Sequence, residues 1–212
     1  MATGIRISDI ANAYGFQPRT VLDIGAQIGD FSKECKALWP EISIFMIEAT
    51  RECEPYLKEV GQPYKIAVLS DVKDKSVEFY KTTSAKTNTG NSLYKENTIH
   101  YEGEKLIIEN RKTETLDQLF GSDAQFDLIK LDTQGSELDI MRGGLDIVKR
   151  SIMIIMEMSH IEYNQGAPTF HEADKFMEEI GFKRGIQIGY STNDRGEVFQ
   201  EDFVYVNKKY IK

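Results

Sequence analysis

The chain has 212 residues, of which 41% are hydrophobic and 28% are charged, and its formal net charge at pH 7 is −8. This length and composition suit one well-cored globular domain. The negative charge disfavours a nucleic-acid partner, because binding a phosphate backbone needs clustered lysines and arginines, and no apolar run has the length of a signal peptide or membrane span.

In the first third of the chain, short apolar strands alternate with amphipathic helices. Strands are predicted at residues 21–24, 42–47 and 66–69, and helices at about 29–39 and 52–60. The first helix is predicted to bury Phe31, Cys35 and Leu38, which share one face at the spacing i, i+4, i+7. This alternation is typical of a parallel sheet covered by helices.

Residues 71–115 interrupt the alternation. Val77–Tyr80 and Leu106–Ile108 are predicted strands, and the segment between them is polar, especially at residues 82–91. Long polar loops in compact domains are usually functional or disordered. We therefore predict an insertion that covers a site.

The alternation then returns and continues almost to the end of the chain. Strands are predicted at residues 126–131, 151–156, 183–188 and 202–206, and helices at 136–149 and 170–180. The last two strands are joined by a polar turn too short for a crossover helix, so they should form an antiparallel hairpin. The predicted fold is a doubly wound α/β domain over residues 1–212, with a mostly parallel seven-stranded sheet. Ligands bind such sheets beyond the carboxyl ends of the strands.

The first predicted strand ends in a glycine turn, Asp23-Ile24-Gly25-Ala26-Gln27-Ile28-Gly29. A dinucleotide-binding turn, G-x-G-x-x-G, aligned on Gly25 would need glycines where Gln27 and Asp30 stand. Because Asp30 would repel a phosphate, the turn suits a nucleoside without phosphates, and S-adenosylmethionine is the candidate. The alternative is a tight strand-to-helix turn with no ligand.

Acidic and polar residues follow the next two strands. Glu48, with Ala49 after it, stands 23 residues beyond Gly25 (48 − 25), where an acid can accept hydrogen bonds from both ribose hydroxyls. Ser70 and Asp71 follow the third strand, where the adenine could be held. Both assignments have a structural alternative. Glu48 could be a solvated carboxylate before the N-terminus of a helix, and Ser70-Asp71 could be an ordinary turn.

The fourth and fifth strands supply the candidates for catalysis. Asp132 could take a proton from an acceptor hydroxyl or cap the following helix, and Glu137 is predicted to stabilise the first turn of that helix. Beyond the fifth strand, Glu157 and Tyr163 could line the acceptor pocket, and His160 is a second candidate base. Neither the histidines nor Cys35 and Cys53 have the spacing of metal ligands, so we expect no metal site. The two cysteines form no C-x-x-C pair, which fits a reducing, cytoplasmic setting.

On these residues, the chain resembles the FkbM family of class I S-adenosylmethionine-dependent methyltransferases. The motifs that carry the resemblance are V-L-D-I-G-A-Q-I-G at 21–29, T-E-T-L-D-Q-L at 113–119 and L-I-K-L-D-T-Q-G-S-E at 128–137. The chain departs from the family at Gln27, usually Asn, and at Gln134, usually Glu. The second departure removes a carboxylate beside the cleft.

The resemblance implies O-methylation of a hydroxyl on a small metabolite or a sugar. It places Asp23, Gly25, Gln27 and Glu48 at the cofactor, Asp132 beside the reacting methyl group, and Asn91-Ser92 in the part that closes over the site. Two alternatives stay open: a nicotinamide-dependent oxidoreductase, and a cofactor-binding module without catalysis.

Overall fold

The computed structural model describes residues 2–3, 6–83, 90–193 and 195–211. Its α-helices are α1 (Ile7–Tyr14), α2 (Asp30–Leu38), α3 (Glu54–Val60), α4 (Leu116–Phe120), α5 (Glu137–Arg142), α6 (Leu145–Arg150) and α7 (Phe170–Glu179). Its strands are β1 (Ala2–Thr3), β2 (Thr20–Ile24), β3 (Ser43–Glu48), β4 (Tyr64–Ile66), β5 (Val68–Leu69), β6 (Ser76–Thr82), β7 (Leu106–Glu114), β8 (Leu128–Leu131), β9 (Met153–Ser159), β10 (Phe182–Thr192) and β11 (Val198–Asn207). Among these residues, no helix combines the length and apolarity needed to cross a bilayer.

The main sheet has the strand order β1-β10-β11-β9-β8-β2-β3-β4. Neighbouring strands from β9 to β4 are parallel, whereas β11 runs antiparallel to both β9 and β10. The predicted α/β fold and its antiparallel C-terminal hairpin are therefore confirmed. The two-residue β1 adds an eighth strand at one edge.

Successive residues of the central strand β2 pack on opposite faces of the sheet, as pleating requires. Leu22 and Ile24 belong to a buried cluster with side chains from α5, α6 and α7. Val21 belongs to a second cluster with α1, α2 and α3. Helices thus cover both faces and leave the carboxyl ends of the parallel strands as an open edge.

The prediction of one strand at residues 66–69 is wrong. β4 pairs with β3 in the main sheet, whereas β5 pairs with β7 in a separate three-stranded sheet of order β5-β7-β6. The chain changes sheet at Ala67, whose N–H donates to the carbonyl of Glu48 at 2.9 Å. A run of four apolar residues carries no periodicity that would mark this change.

The prediction of one helix at 136–149 is also wrong, because the helix breaks at Gly143-Gly144 into α5 and α6. A Cβ on Gly143 would lie 2.2 Å from the carbonyl oxygen of Ser70, and one on Gly144 would lie 2.4 Å from Leu116. The two glycines at the break thus let neighbouring residues approach the backbone closely.

The prediction that Leu38 of α2 is buried is also wrong, because its side chain is 41% exposed.

The insertion at 71–115 contains both predicted strands, extended as the antiparallel pair β6 and β7. The predicted polar segment at 82–91 falls partly on residues 84–89, outside the described residues. Two helices were not predicted, α1 and α4. In α1, the fully buried Ile10 and the nearly buried Ile7 have the helical spacing that could have identified it.

Candidate functional site

A cavity of about 560 Å³ lies at the carboxyl ends of β2, β3, β8 and β9. This is where open parallel sheets bind ligands, in pockets of about 300–1,000 Å³. Predicted site residues that line it are Gly25, Ala26, Gln27, Glu48, Ala49, Asn91, Ser92, Asp132, Glu157 and Tyr163. Predicted site residues outside the lining are Asp23, Gly29, Ser70, Asp71 and His160.

The glycine turn after β2 is held between the ends of two other strands. The N–H groups of Gly25 and Ala26 donate to the carbonyl of Ile47 at 2.9 and 3.0 Å. Gly25 has a φ of 75°, and a Cβ there would lie 1.8 Å from the carbonyl oxygen of Asp132. Gly29 has a different role, because a Cβ there would meet the side chain of Val60 at 2.5 Å. Gly25 thus shapes the cavity, and Gly29 allows helix packing.

Glu48 ends β3 with its carboxylate against this turn. Its two oxygens accept the N–H groups of Gln27 at 2.8 Å and Thr50 at 2.7 Å. Gln27 has a φ of 51°, which is uncommon for a residue with a side chain. Burial raises the pKa of Glu48 above its usual value, and the two backbone hydrogen bonds oppose that shift. Glu48 is therefore a fixed hydrogen-bond acceptor at the cavity wall.

Lys130 joins the loops that follow β2 and β8. Its Nζ donates to the carbonyl of Gly25 at 3.0 Å, and it lies 3.2 Å from Asp132 and 3.6 Å from Asp23. Burial alone would lower the pKa of Lys130, but the carboxylates of Asp132 and Asp23 raise it overall, so the lysine is charged. Asp23 is fully buried and also accepts the hydroxyl of Ser32 at 2.6 Å. Asp23 thus positions Lys130 from behind the cavity wall.

The wall beyond β4 is apolar. It is formed by Ala67, Val68, Leu69 and Phe79. Ser70 instead donates its hydroxyl to Asp71 at 3.0 Å, outside the lining. Ser70 and Asp71, which were predicted to hold the adenine, therefore lie outside the cavity lining, beyond the change of sheet at Ala67.

Gln134 bridges two carboxyl groups across the cavity. Its side-chain nitrogen donates to Asp132 at 3.2 Å and to Glu157 at 2.5 Å. A glutamate at this position would add a third carboxyl group where the amide supplies a donor. This contact gives a physical reason for the departure from the family pattern. Glu137, as predicted, has a structural role: it accepts the N–H of Thr133 at 2.8 Å.

His160 lies outside the cavity lining. Its ring stacks on Phe170 at 4.7 Å, and its Nε2 contacts the carboxylate of Glu201. This position does not support the general-base role predicted for His160. Glu157, in contrast, lies within β9 rather than after it and lines the cavity.

Asn91 and Ser92 of the insertion bind the loops that follow β3 and β8. Asn91 donates its side-chain amide to Thr50 at 3.2 Å, and Ser92 donates its hydroxyl to the carbonyl of Thr133 at 2.9 Å. On the opposite wall, Tyr163 stacks on Phe199 at 5.1 Å. The predicted acceptor residues Asn91, Ser92 and Tyr163 thus all reach the same cavity.

Sequence reasoning missed several lining residues, including Glu96, Lys130, Phe199, Gln200 and Asp202. Two of these residues could have been found from the sequence, because Gln200 and Asp202 are two residues apart in a strand and therefore lie on the same face. Acidic residues of the lining are Asp30, Glu34, Glu48, Glu96, Asp132, Glu157 and Asp202. Lys130 is the basic residue among the described lining. This charge balance opposes a pyrophosphate and favours a cation.

Arg111 on β7 ties the insertion to the segment that follows Glu48. Its guanidinium donates to the carbonyl of Ala49 at 3.0 Å and lies 5.6 Å from the ring of Phe79. We expect Arg111→Ala to weaken S-adenosylhomocysteine binding about tenfold. A hydrogen bond from a charged group is worth about 1.5–3 kcal/mol, and part of this free energy would be lost from cofactor binding because Ala49 lines the cavity.

Isothermal titration calorimetry measures this loss. Lys112→Ala is the matched control, because Lys112 bonds within its own hairpin, to Asp74 and Ser76. Equal affinities for Arg111→Ala and the wild type would contradict the positioning role.

Comparisons with known proteins identify the family of the chain. A family model described as "Methyltransferase FkbM domain" matches residues 23–184. Among curated proteins, none is significantly similar in sequence.

Solved methyltransferase structures share the fold at low identity. A precorrin-6y C5,15-methyltransferase from Geobacter metallireducens GS-15 has a TM-score of 0.50 and 11% identity, with 94% of this chain and 87% of that chain covered. Magnesium protoporphyrin IX methyltransferase from Synechocystis PCC 6803, solved with bound S-adenosylmethionine, has a TM-score of 0.50 and 9% identity, with 93% and 74% covered. A putative tRNA (m1A22) methyltransferase from Streptococcus pneumoniae has a TM-score of 0.51 and 12% identity, with 97% and 71% covered.

Proposed function

Because this chain belongs to the FkbM methyltransferase family and its cofactor is S-adenosylmethionine, we propose that it methylates a hydroxyl group on a small metabolite or a sugar. The observation that carries this proposal is one cavity that joins the Gly25 turn and Glu48 to Asp132, Glu157 and Asp202. The first group suits a nucleoside, and the second supplies acceptors for a hydroxyl proton.

The residues of the cavity fit the cofactor. Glu48 offers carboxylate oxygens to ribose hydroxyls, and the apolar wall of Val68, Leu69 and Phe79 suits an adenine. The excess of acidic lining residues suits a positively charged sulfonium. The same charges oppose the pyrophosphate of a nicotinamide cofactor, which disfavours the oxidoreductase alternative.

The cofactor supplies an activated methyl group, so the protein mainly positions the reactants and excludes water. The Gly25 turn and Glu48 would bind the nucleoside. Lys130 contacts both the Gly25 carbonyl and the carboxylate of Asp132, and these contacts would hold Asp132 beside the reacting methyl group. The segment from Gly90 to Glu96 covers the acceptor side. Fixed orientation of this kind can supply several kcal/mol of a barrier.

Two features favour a hydroxyl over a nucleobase nitrogen as acceptor. The sequence after β8 is Asp132-Thr133-Gln134-Gly135, which lacks the Asn/Asp-Pro-Pro-aromatic motif common in methyltransferases that act on bases. The cavity wall is acidic, whereas a nucleic-acid phosphate needs basic partners.

We expect S-adenosylhomocysteine to stabilise the protein. At about 100 times the dissociation constant, a ligand that binds only the folded state contributes about 2.7 kcal/mol. For a chain of this size that contribution raises Tm by about 5–10 °C. Thermal unfolding with S-adenosylhomocysteine, compared with NADH, measures the difference. A shift with NADH and none with S-adenosylhomocysteine would favour the oxidoreductase.

Methyl transfer itself is tested with a panel of neutral sugars and small alcohols, using methyl-labelled S-adenosylmethionine. Matched panels of phosphorylated sugars and of RNA serve as controls. Transfer to a neutral hydroxyl supports the proposal. Transfer only to RNA or to nitrogen would contradict it, and cofactor binding without any transfer would favour a non-catalytic module.

A further inference from the structure

The acceptor side of the cavity holds two carboxyl groups on adjacent strands. Asp202 on β11 lies directly opposite Glu157 on β9 in the antiparallel register. Directly opposed residues have Cβ atoms about 4.5–5.5 Å apart. Since both residues line the cavity, their carboxyl groups face the same space.

Two side-chain amides hold the carboxyl group of Glu157. Its Oε2 accepts the side-chain N–H groups of Gln134 at 2.5 Å and Gln200 at 3.1 Å. Burial raises the pKa of Glu157 well above its usual value, and the nearby carboxylates of Asp132 and Asp202 add to that shift. A protonated Glu157 keeps both contacts, because its carbonyl oxygen accepts them while its other oxygen carries the proton.

The carboxylate of Asp132 already has two partners. Its Oδ2 lies 3.2 Å from the ammonium of Lys130, and its Oδ1 accepts the amide of Gln134 at 3.2 Å. Both carboxylate oxygens of Asp132 are therefore occupied by donors. The groups that face Asp202 are Lys130 and Asp132 from β8 and the loop after it, and Glu157 from β9.

We propose that Asp202, paired across the strands with Glu157, is the catalytic base that takes the proton from the acceptor hydroxyl. This assignment rests on the proposed O-methylation. The hydroxyl oxygen forms the new O–C bond to the methyl carbon, and the electron pair of the broken C–S bond stays on sulfur, which becomes a neutral thioether. The hydroxyl proton passes to the carboxylate of Asp202 and then to solvent, so each turnover releases one proton.

The pKa of Asp202 agrees with this role. Burial and the charge of Asp132 raise it to about 7, against the opposing effect of Lys130. A base whose pKa is near the working pH combines the correct protonation state with sufficient basicity. The rate should therefore rise as the pH increases through about 7, where Asp202 loses its proton.

The first test needs no acceptor. Carboxyl ¹³C NMR on the protein with S-adenosylhomocysteine should detect an aspartate that titrates near neutral pH, and Asp202→Asn should remove that titration and lower the titration midpoint of Glu157. Glu201→Gln is the matched control, because Glu201 is the adjacent residue of β11 and contacts His160 and Gln187 outside the lining. An Asp202 that titrates below about pH 5, within the ordinary range of aspartates, would overturn the assignment.

Stability gives a second measurement that also needs no acceptor. A carboxyl group whose pKa is raised by folding favours the folded state at low pH and loses that contribution as the pH rises through its folded pKa. The unfolding free energy of Asp202→Asn should therefore rise relative to that of the wild type between about pH 4, near the usual pKa of an unfolded aspartate, and about pH 7. A difference that does not change with pH would contradict a raised pKa.

Turnover with a hydroxyl acceptor from the panel completes the test. Asp202→Asn should lower kcat by about 10²–10⁴-fold and flatten the rise near neutral pH, with S-adenosylhomocysteine affinity within about twofold of the wild type because Asp202 lies on the acceptor side. Equal kcat values with normal affinity would overturn the base assignment. If the wild type did not bind S-adenosylhomocysteine, the proposed function would be overturned instead. The NMR titration would still report on the carboxyl groups of Asp202 and Glu157.

Discussion

Gly25→Ala is expected to abolish measurable S-adenosylhomocysteine binding and to lower the free energy of unfolding by about 2–5 kcal/mol. A residue with a side chain in the left-handed region costs about 1–2 kcal/mol, and overpacking costs about 1–3 kcal/mol more. The overpacking arises because a Cβ on Gly25 would lie 1.8 Å from the carbonyl oxygen of Asp132, which is backbone and cannot rotate away. Denaturant unfolding and calorimetry measure the two effects.

Gly61→Ala is the matched control for that variant. Gly61 has a similar φ of 72°, and a Cβ there would meet nothing within 4 Å. We expect a loss of about 1–2 kcal/mol from backbone strain alone, with unchanged cofactor affinity. If both variants lost the same stability and kept cofactor binding, the close approach of the β2 and β8 loops would not define the site.

Glu48→Gln is expected to weaken S-adenosylhomocysteine binding about 10- to 100-fold, because hydrogen bonds to a charged group are worth about 1.5–3 kcal/mol. The unfolding free energy should change less. The amide oxygen can keep one of the two backbone hydrogen bonds, from Gln27 or Thr50, and the variant no longer buries a carboxylate whose pKa is raised by burial.

Calorimetry on Glu48→Gln is paired with Glu54→Gln. Glu54 begins α3 and accepts the hydroxyl of Tyr64 at 2.9 Å, outside the main cavity. We expect this control to bind S-adenosylhomocysteine as the wild type does. Equal affinity for Glu48→Gln and the wild type would mean that Glu48 fixes the loop without contacting the ribose.

The cofactor side of the site could be predicted from the sequence because its residues follow strands with clear apolar signals. Gly25 and Glu48 come at the ends of β2 and β3, which are adjacent and parallel, so their proximity follows from the fold class. Ser70 was predicted at the cofactor by the same argument, but the structure places it outside the cavity lining. Its position was inferred from a continuous apolar run, and the structure divides that run between two sheets at Ala67.

The acceptor side could not be predicted to the same extent. Its lining depends on the register between β9 and β11, which places Asp202 opposite Glu157. The β11 strand begins at Val198, within a polar stretch that predicted a strand only from residue 202. His160 shows a different limit of the sequence. It is titratable and close in sequence to the site, but its ring contacts Phe170 and Glu201 outside the cavity lining.

A crystal structure of the protein with S-adenosylhomocysteine tests the central claim most directly. We expect the ribose hydroxyls within hydrogen-bond distance of the Glu48 carboxylate, with the adenine against Leu69 and Phe79. A nucleoside bound elsewhere, or a cavity that stays filled by the protein's own side chains at saturating ligand, would contradict it.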